Sequence, residues 1–296
     1  MTSFSTPFQT RIVHFQPASE ICLLPFAVGS ATQHRPSAVV ESDNSQDAAS
    51  ILFGKHHMIA VVTDGCSGTH DKLRATCHSS NEVGSRLMAY LVSNFALKLA
   101  TTNPSLTGEA FLMKLNDKVR KSLNVMLRTF CGSDRLRREM FINDFLMTTV
   151  LGCVVSESRF LVFHSGDGVI AVNGDIKDLE NNAGQYLAND LIARSDPTEP
   201  LPPPLVSSLK LCHSGMTCEL VSIFLATDGL SRFARLHPNL LKDFVATEPP
   251  PNQVENGLDF LLQEFRQKVA CNSNVNLRLD DDATFVLLRR TGTEYY

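Results

Sequence analysis

The fold is decided by a short stretch of sequence, MIAVVTDG, at positions 58–65. Its five apolar residues form a continuous run, which is typical of a buried strand. The run stops at an aspartate followed by glycine, a residue that lets the chain turn sharply and lets the backbone come close to a ligand. We therefore predict a buried strand with the carboxylate of Asp64 at its end.

Four more aspartates stand at the ends of apolar runs. Asp167 and Asp228 each follow such a run and precede a glycine, whereas Asp47 and Asp281 come before one. Five carboxylates at one edge of a sheet would repel each other strongly, because close like charges cannot all stay ionised without a counter-charge. Metal cations would supply that counter-charge.

Such a cluster would favour hard divalent ions. Its donors are oxygens, with no histidine or cysteine at ligand spacing beside them, so Mg²⁺, Mn²⁺ or Ca²⁺ fits better than zinc. Two ions about 3.5–4 Å apart can hold a bridging hydroxide and clamp a phosphate, so we expect phosphoester hydrolysis without a covalent enzyme intermediate. The alternative for each aspartate is the common role of a turn former or helix cap.

The rest of the chain alternates between strand and helix patterns. Ser79 and Glu82 have the spacing of a capping box, which predicts a helix start. Asn173 and Gly174 predict a two-residue hairpin turn. Further strands are predicted at 48–53, 148–155, 160–164, 169–172, 220–226 and 283–288. Three helices are predicted from apolar stripes. The first stripe is Val83, Leu87, Leu91, Phe95 and Leu99, the second is Phe111, Leu115, Val119, Leu123 and Leu127, and the third lies within 258–269. This mixture indicates α+β layers in one domain.

Composition excludes several classes of protein. The 296 residues carry a formal net charge of −4, which gives no argument for a nucleic acid or a membrane as partner. None of the eight cysteines forms a C-x-x-C pair, so a structural zinc site is not expected. Without a secretory signal pattern or an apolar run of roughly 20 residues, we expect a cytoplasmic protein. The basic segment 135–138 is interpreted as a solvated helix face.

Taken together, the motifs resemble those of the metal-dependent protein phosphatase family, also called type 2C. They follow the family order from about residue 47 to residue 290, and segments 80–84 and 166–174 resemble its compact bacterial branch. The matching segments are Gln46-Asp47-Ala48, Val62-Thr63-Asp64-Gly65, Met147-Thr148-Thr149, Gly166-Asp167-Gly168, Ala226-Thr227-Asp228-Gly229-Leu230 and Asp281-Asp282-Ala283-Thr284.

The resemblance implies a fold and an activity. The fold would be a four-layer αββα sandwich of two antiparallel sheets flanked by helices, as one domain over 1–296 with a motif-bearing core at about 28–291. The activity would be hydrolysis of phosphoserine or phosphothreonine on proteins, with two Mn²⁺ or Mg²⁺ ions and an optional third. The implied partner is a phosphoprotein substrate, and a partner kinase is left open.

The resemblance also implies roles for single residues. Asp64 would bridge the two metals and Asp47 would hold the first. The carbonyl of Gly65, with Asp228 and Asp281, would hold the second. The optional third ion would be shared between Asp228 and Asp167. Catalysis would thus act through Asp64 and Asp228 by way of the bound metals.

Some positions depart from the family pattern. Cys66 follows Asp64-Gly65 where the better-known branch has a histidine that can act as general acid. His70, His78 or His164 could substitute for it, as could a metal-bound water, although each histidine could equally have a packing or surface role. The phosphate-binding arginine expected before Asp47 is missing at that spacing, and Asp282 replaces an asparagine.

These departures leave two alternatives to an active protein phosphatase. One is a catalytically weak relative that serves as a binding or regulatory module, which the missing arginine and histidine favour. Retention of the five aspartates argues against it, since a scaffold has no need for so costly a charge cluster. The other is a phosphatase of small-molecule phosphomonoesters.

Overall fold

The structure of the protein, a computed structural model, describes residues 24–33, 46–65, 81–105, 108–192, 208–246 and 282–290. The strands are β1 (Phe26–Gln33), β2 (Asp47–Gly54), β3 (His57–Asp64), β4 (Val150–Ser156), β5 (Arg159–Ser165), β6 (Val169–Val172), β7 (Asp175–Asp178), β8 (Lys210–Met216), β9 (Ser222–Ala226) and β10 (Ala283–Arg290). The helices are α1 (Asn81–Thr102), α2 (Gly108–Cys131), α3 (Arg135–Phe141), α4 (Asn189–Ile192), α5 (Ser231–Leu236) and α6 (Pro238–Ala246), with a π-helical turn at Ile142–Leu146.

The strands form two antiparallel sheets. Sheet A has the order β2-β3-β4-β5-β8, and sheet B has the order β1-β10-β9-β6-β7. Three clusters of buried side chains separate four layers. One lies between sheet A and helices α1 and α2, one lies between the two sheets, and one lies between sheet B and helices α5 and α6. The predicted α+β sandwich of αββα type is thus confirmed.

The packing of strand β3 explains why residues 58–62 are all apolar. Ile59 and Val61 pack against the helices, whereas Met58, Ala60 and Val62 pack against sheet B. All five side chains are at most 1% exposed. Side chains of a strand alternate between its faces, so a central strand that is covered on both sides requires an unbroken apolar run.

Several strand boundaries in the structure differ from the predicted ones. The hairpin of β4 and β5 forms, but β4 begins at Val150, because Thr148 makes only an isolated bridge with Gly65. Strand β9 begins at Ser222 rather than at Leu220. Strand β8 was not predicted, because at the edge of sheet A its residues are half-buried or exposed and give no apolar signal.

The buried face of α1 is rotated from the predicted stripe. Val83 is 50% exposed, whereas Met88, Val92 and Ala96 are fully buried against sheet A. The stripe predicted for α2 is confirmed, since its five residues are at most 2% exposed. The interpretation of segment 135–138 as a solvated face was wrong for Arg138, which is buried where α3 packs against α2.

Some predictions lie outside the described residues, among them the cap at Ser79, the helix at 258–269 and the ligand Asp281. The single domain over 1–296 stays a prediction. Among the described helices, none combines the length and the apolar character needed to cross a bilayer.

Helix α1 packs tightly against the π-helical turn at Gly84. A Cβ atom on this residue would lie 1.4 Å from the carbonyl oxygen of Phe145, which is far inside van der Waals contact. A larger side chain would therefore force backbone against backbone. This explains a glycine in the interior of a helix, where it is otherwise unfavourable.

We predict that Gly84→Ala destabilises the protein by at least about 2 kcal/mol, despite the better helix propensity of alanine, because the clash is with backbone. Thermal unfolding would measure this against Val83→Ala, a substitution at an exposed neighbour that should have little effect. An unchanged or raised Tm for Gly84→Ala would show that the two segments are not packed this closely.

Candidate metal centre

The β2–β3 hairpin places two of the predicted ligands side by side. Asp47 opens β2, Asp64 closes β3, and the two residues are Cα partners in the antiparallel register. Directly opposed residues on neighbouring strands have Cβ atoms about 5 Å apart. The Asp64 side chain accordingly comes within hydrogen-bonding reach of the Asp47 carboxylate.

Sheet B reaches the same pair through Thr227. Its hydroxyl donates a hydrogen bond to Asp47 Oδ2 at 2.8 Å and accepts one from the N–H of Thr284 at 2.9 Å. The N–H of Thr227 in turn donates to the Thr284 carbonyl at 2.9 Å. Because Asp228 follows Thr227 and Asp282 lies two residues before Thr284, these contacts bring both carboxylates to the edge that holds Asp47.

Two glycines beside the aspartates make this approach possible. A Cβ on Gly229 would lie 2.0 Å from the carbonyl oxygen of Asp282. A Cβ on Gly168 would lie 2.6 Å from the carbonyl oxygen of Ala226, and the φ of Gly168 is +129°. The prediction that glycine is needed after these aspartates is therefore explained by close backbone contacts within the protein.

Burial and neighbouring carboxyl groups dominate the electrostatics of Asp47. This carboxyl is 5% exposed, and burial raises its pKa well above the usual range. Hydrogen bonds with Asp64 and Thr227 offset part of the rise, while the charges of Asp282 and Asp228 raise the pKa further. Four carboxyl groups thus influence one another at this edge, as the repulsion argument from the sequence requires.

The backbone at Asp64 and Gly65 is fixed on both sides. The N–H of Asp64 donates to Thr149 Oγ1 at 3.1 Å, and its carbonyl accepts from the N–H of Thr149 at 2.9 Å. The N–H of Gly65 donates to the Gln46 carbonyl at 3.1 Å. These bonds hold the end of β3 between β4 and the residue before β2, so the position of Asp64 is set by the sheet.

Asp167 lies in the loop between β5 and β6 and is half-buried. Burial raises its pKa, and the charges of Asp178 and Glu180 raise it further. The electrostatic neighbours of Asp167 therefore include residues on the β7 side of sheet B. The preceding loop residue, Gly166, contacts Thr149, so the loop nonetheless adjoins the end of β4 beside Asp64.

His164 does not suit the role of an accessible general acid. It is 4% exposed, and its Nδ1–H donates to the Gly166 carbonyl at 3.1 Å. Burial lowers its pKa, so the ring is neutral at pH 7. The packing role, which the sequence left open, fits this position. Cys66, His70, His78 and Asp281 lie outside the described residues.

The donors of this edge fit a hard divalent cation. They are carboxylate oxygens, and Asp47 is a buried acid whose pKa is raised by burial and raised further by its negative neighbours. Within the part of the chain that the structure describes, no three His, Cys, Asp or Glu side chains converge on a point that could hold a metal. Asp281, which the resemblance implies as a further ligand, lies outside that part of the chain.

Sequence reasoning missed the part played by Thr227. It stood in a matching motif, but its importance depends on a contact between strands that are 180 residues apart. No local pattern carries that information.

We predict that Asp47→Asn stabilises the protein in EDTA, and increasingly so as the pH rises from about 5 to about 8. The raised pKa means that the folded state keeps a proton which the unfolded state loses, so wild-type stability falls as pH rises through this window. Asparagine cannot ionise, and its Oδ1 can still accept from Thr227.

Thermal unfolding at several pH values would measure the effect. Each unit of pKa difference corresponds to about 1.4 kcal/mol, or at least about 2 °C in Tm for a chain of this size. Asp175→Asn, at an exposed carboxylate on β7, is the matched control and should show no such trend. A Tm difference that does not vary with pH would contradict the raised pKa of Asp47.

The chain was compared with known proteins. The sequence model of a family described as protein phosphatase 2C matches residues 36–269. The fold is similar to that of a bacterial serine phosphatase, at 17% identity and a TM-score of 0.51, covering 90% of this chain and 98% of that one. It is also similar to a C. elegans sex determining protein, at 12% identity and a TM-score of 0.53, covering 88% of this chain and 64% of that one.

No curated protein matches the sequence. At such low identities the two solved structures establish the fold alone, whereas the family match covers most of the chain. The resemblance that the motifs predicted is confirmed, and the chain belongs to the protein phosphatase 2C family.

Proposed function

We propose that this protein hydrolyses phosphoserine or phosphothreonine on proteins with the help of Mn²⁺ or Mg²⁺. Membership of the family supports a protein phosphatase. The observation that carries the metal-dependent part is the buried Asp47 carboxyl, which faces Asp64 and carries the added repulsion of Asp228 and Asp282. A divalent cation is the simplest compensation for this concentration of negative charge.

We propose a set of protein ligands for each metal ion. Asp47 and Asp64 hold the first ion, and Asp64, the Gly65 carbonyl, Asp228 and Asp281 hold the second. Asp167 contributes to an optional third. Bound ions would supply the positive charge that stabilises the phosphate in the transition state and makes water more nucleophilic.

The residues around the carboxylates serve to orient them. The hydroxyl of Thr227 donates a hydrogen bond to Asp47 Oδ2, which restrains the rotation of that carboxyl. Thr149 fixes the backbone of Asp64 from the neighbouring strand. Asp282, which replaces the family's asparagine, increases the negative potential and so favours cation binding over the neutral residue.

The leaving serine or threonine oxygen needs a proton. We propose Cys66 or His70 as the source, on the basis of their places in the sequence after Asp64 and Gly65. A thiol with an ordinary pKa near 8.5 can donate a proton at neutral pH, although it is a weaker acid than an imidazolium.

We predict that the purified protein releases phosphate from a phosphothreonine peptide and from p-nitrophenyl phosphate only when Mn²⁺ or Mg²⁺ is present. Asp64→Asn and Asp228→Asn should each lower kcat/KM by at least about 100-fold, because loss of a metal ligand costs no less than loss of a supporting contact. Asp175→Asn removes the same charge away from the site and should leave the rate unchanged.

The outcomes separate the alternatives. Release from p-nitrophenyl phosphate but not from phosphopeptides would favour a small-molecule phosphomonoesterase. No release by a folded wild type whose Tm rises with Mn²⁺ would favour the binding module. Wild-type activity in Asp64→Asn would show that the metal assignment is wrong.

A separate prediction concerns the acid. If Cys66 protonates the leaving group, Cys66→Ser should slow substrates with poor leaving groups more than p-nitrophenyl phosphate, because a good leaving group needs no proton. Rates with a series of aryl and alkyl phosphates would measure this, with the Mn²⁺ dependence as a check that metal affinity is unchanged. The same dependence on leaving-group pKa in both proteins would exclude Cys66 and leave His70, His78 or a metal-bound water as the proton donor.

A further inference from the structure

Sheet A has a second end, and it holds a cavity. Strand β3 runs from His57 to Asp64, so the end of the sheet that contains His57 lies about 23 Å from the carboxylates, at about 3.3 Å per residue. At that end the cavity lies between sheet A and the connection from α1 to α2, and its volume is about 730 Å³. This is within the range of about 300–1,000 Å³ typical of small-molecule sites.

The cavity exists because the helices leave the last row of sheet A uncovered. The helix-facing side chains of β3, β4 and β5 are apolar up to Ile59, Val154 and Leu161. By the alternation of strands, His57, Ser156 and Arg159 continue the same face, and all three line the cavity. Here the apolar surface of the sheet therefore gives way to hydrogen-bond donors.

The inner wall is apolar. Ala100 from α1, Phe111 from α2, and Val154 and Leu161 from the sheet line the cavity, and each is at most 7% exposed. These residues belong to the core between sheet A and the helices, so the floor of the cavity is an opening into that core. It suits the hydrocarbon part of a ligand.

The rim carries charges without partners. The Arg159 guanidinium is exposed, and neither an ion pair nor a side-chain hydrogen bond joins it to any residue that the structure describes. The nearby Glu157 pairs with His56 instead, at 2.7 Å. Burial lowers the pKa of His57, with repulsion from His56 adding to the effect, so its neutral ring still offers one N–H donor.

We propose that this cavity binds a small amphipathic molecule that has an apolar body and a single carboxylate. The body packs on Phe111, Val154 and Leu161, and the carboxylate pairs with Arg159. Arginine presents parallel N–H groups that match the two oxygens of a carboxylate. This site is distinct from the metal centre, so it does not depend on the proposed phosphatase activity.

The acidic residues of the rim limit the negative charge that a ligand can carry. Glu109 and Glu219 also line the cavity and would repel a nucleotide or any other polyanion. A single carboxylate directed at Arg159 avoids most of this repulsion. The geometry thus favours a monocarboxylate over a phosphorylated compound.

Octanoate, octanol and octylamine are suitable probes, because they share one apolar body and differ in the charge of the head group. Titration calorimetry on the full chain should show octanoate binding with 1:1 stoichiometry. Octanol should bind about tenfold more weakly, since it lacks the charge-assisted contact with Arg159. Octylamine should not bind more tightly than octanol.

Two variants test the contacts. Arg159→Gln should weaken octanoate binding about tenfold without changing octanol binding. Ala110→Trp, at an exposed position on the cavity wall, should abolish both by filling the space. Lys242→Gln, an exposed position on α6 with the same change in charge, is the control and should bind like the wild type.

Thermal unfolding would confirm that each variant is folded. Absence of 1:1 octanoate binding to the wild type would overturn the proposal. So would tighter binding of octylamine, or equal octanoate affinity in wild type and Arg159→Gln. Binding that survives Ala110→Trp would show that the ligand lies elsewhere on the surface.

Discussion

The arrangement of the site depends on the hydrogen bond from Thr227 to Asp47. It joins the end of sheet B to the start of sheet A at Asp47, whose carboxyl is almost wholly buried. Without this partner from the opposite sheet, the buried carboxyl would lose a hydrogen-bond donor, and a buried carboxyl with fewer hydrogen bonds is less stable. The contact therefore gives the buried acid a hydrogen-bond donor. It also aligns two pairs of strand ends, those that carry Asp228 and Asp282 in sheet B and those that carry Asp47 and Asp64 in sheet A.

Much of this could be predicted because the relevant signals are local. The apolar run before Asp64 identifies a strand covered on both faces, and the Asp-Gly pairs at 167–168 and 228–229 mark strand ends where backbones come close. The common edge of Asp47 and Asp64 follows from a short in-register hairpin. These features combine into a recognisable order of motifs, which is why both the family and the layered fold were accessible from the sequence.

The remaining features depend on which elements become neighbours. Strand β8 has no apolar alternation because it lies at an edge, and the buried face of α1 is set by its simultaneous contacts with β2, β3 and the π-helical turn. Arg138 has the sequence context of a surface charge and is buried only because α3 folds back on α2. The cavity at Arg159 likewise arises where two helices stop short of the sheet they cover, which no pattern within either helix encodes.

The register of the β2–β3 hairpin has a consequence for how this chain tolerates length changes. Asp47 opposes Asp64 because the strands pair without slippage back to Gly54 and His57, leaving only Lys55 and His56 as the turn. One residue added within either strand would reverse the faces of every side chain between the insertion and the carboxylate. One residue added between Lys55 and His56 would leave all eight pairs intact. The exposed turn is therefore the natural place to insert a tag or to open the chain for circular permutation, although it lies on the strands that hold the carboxylates.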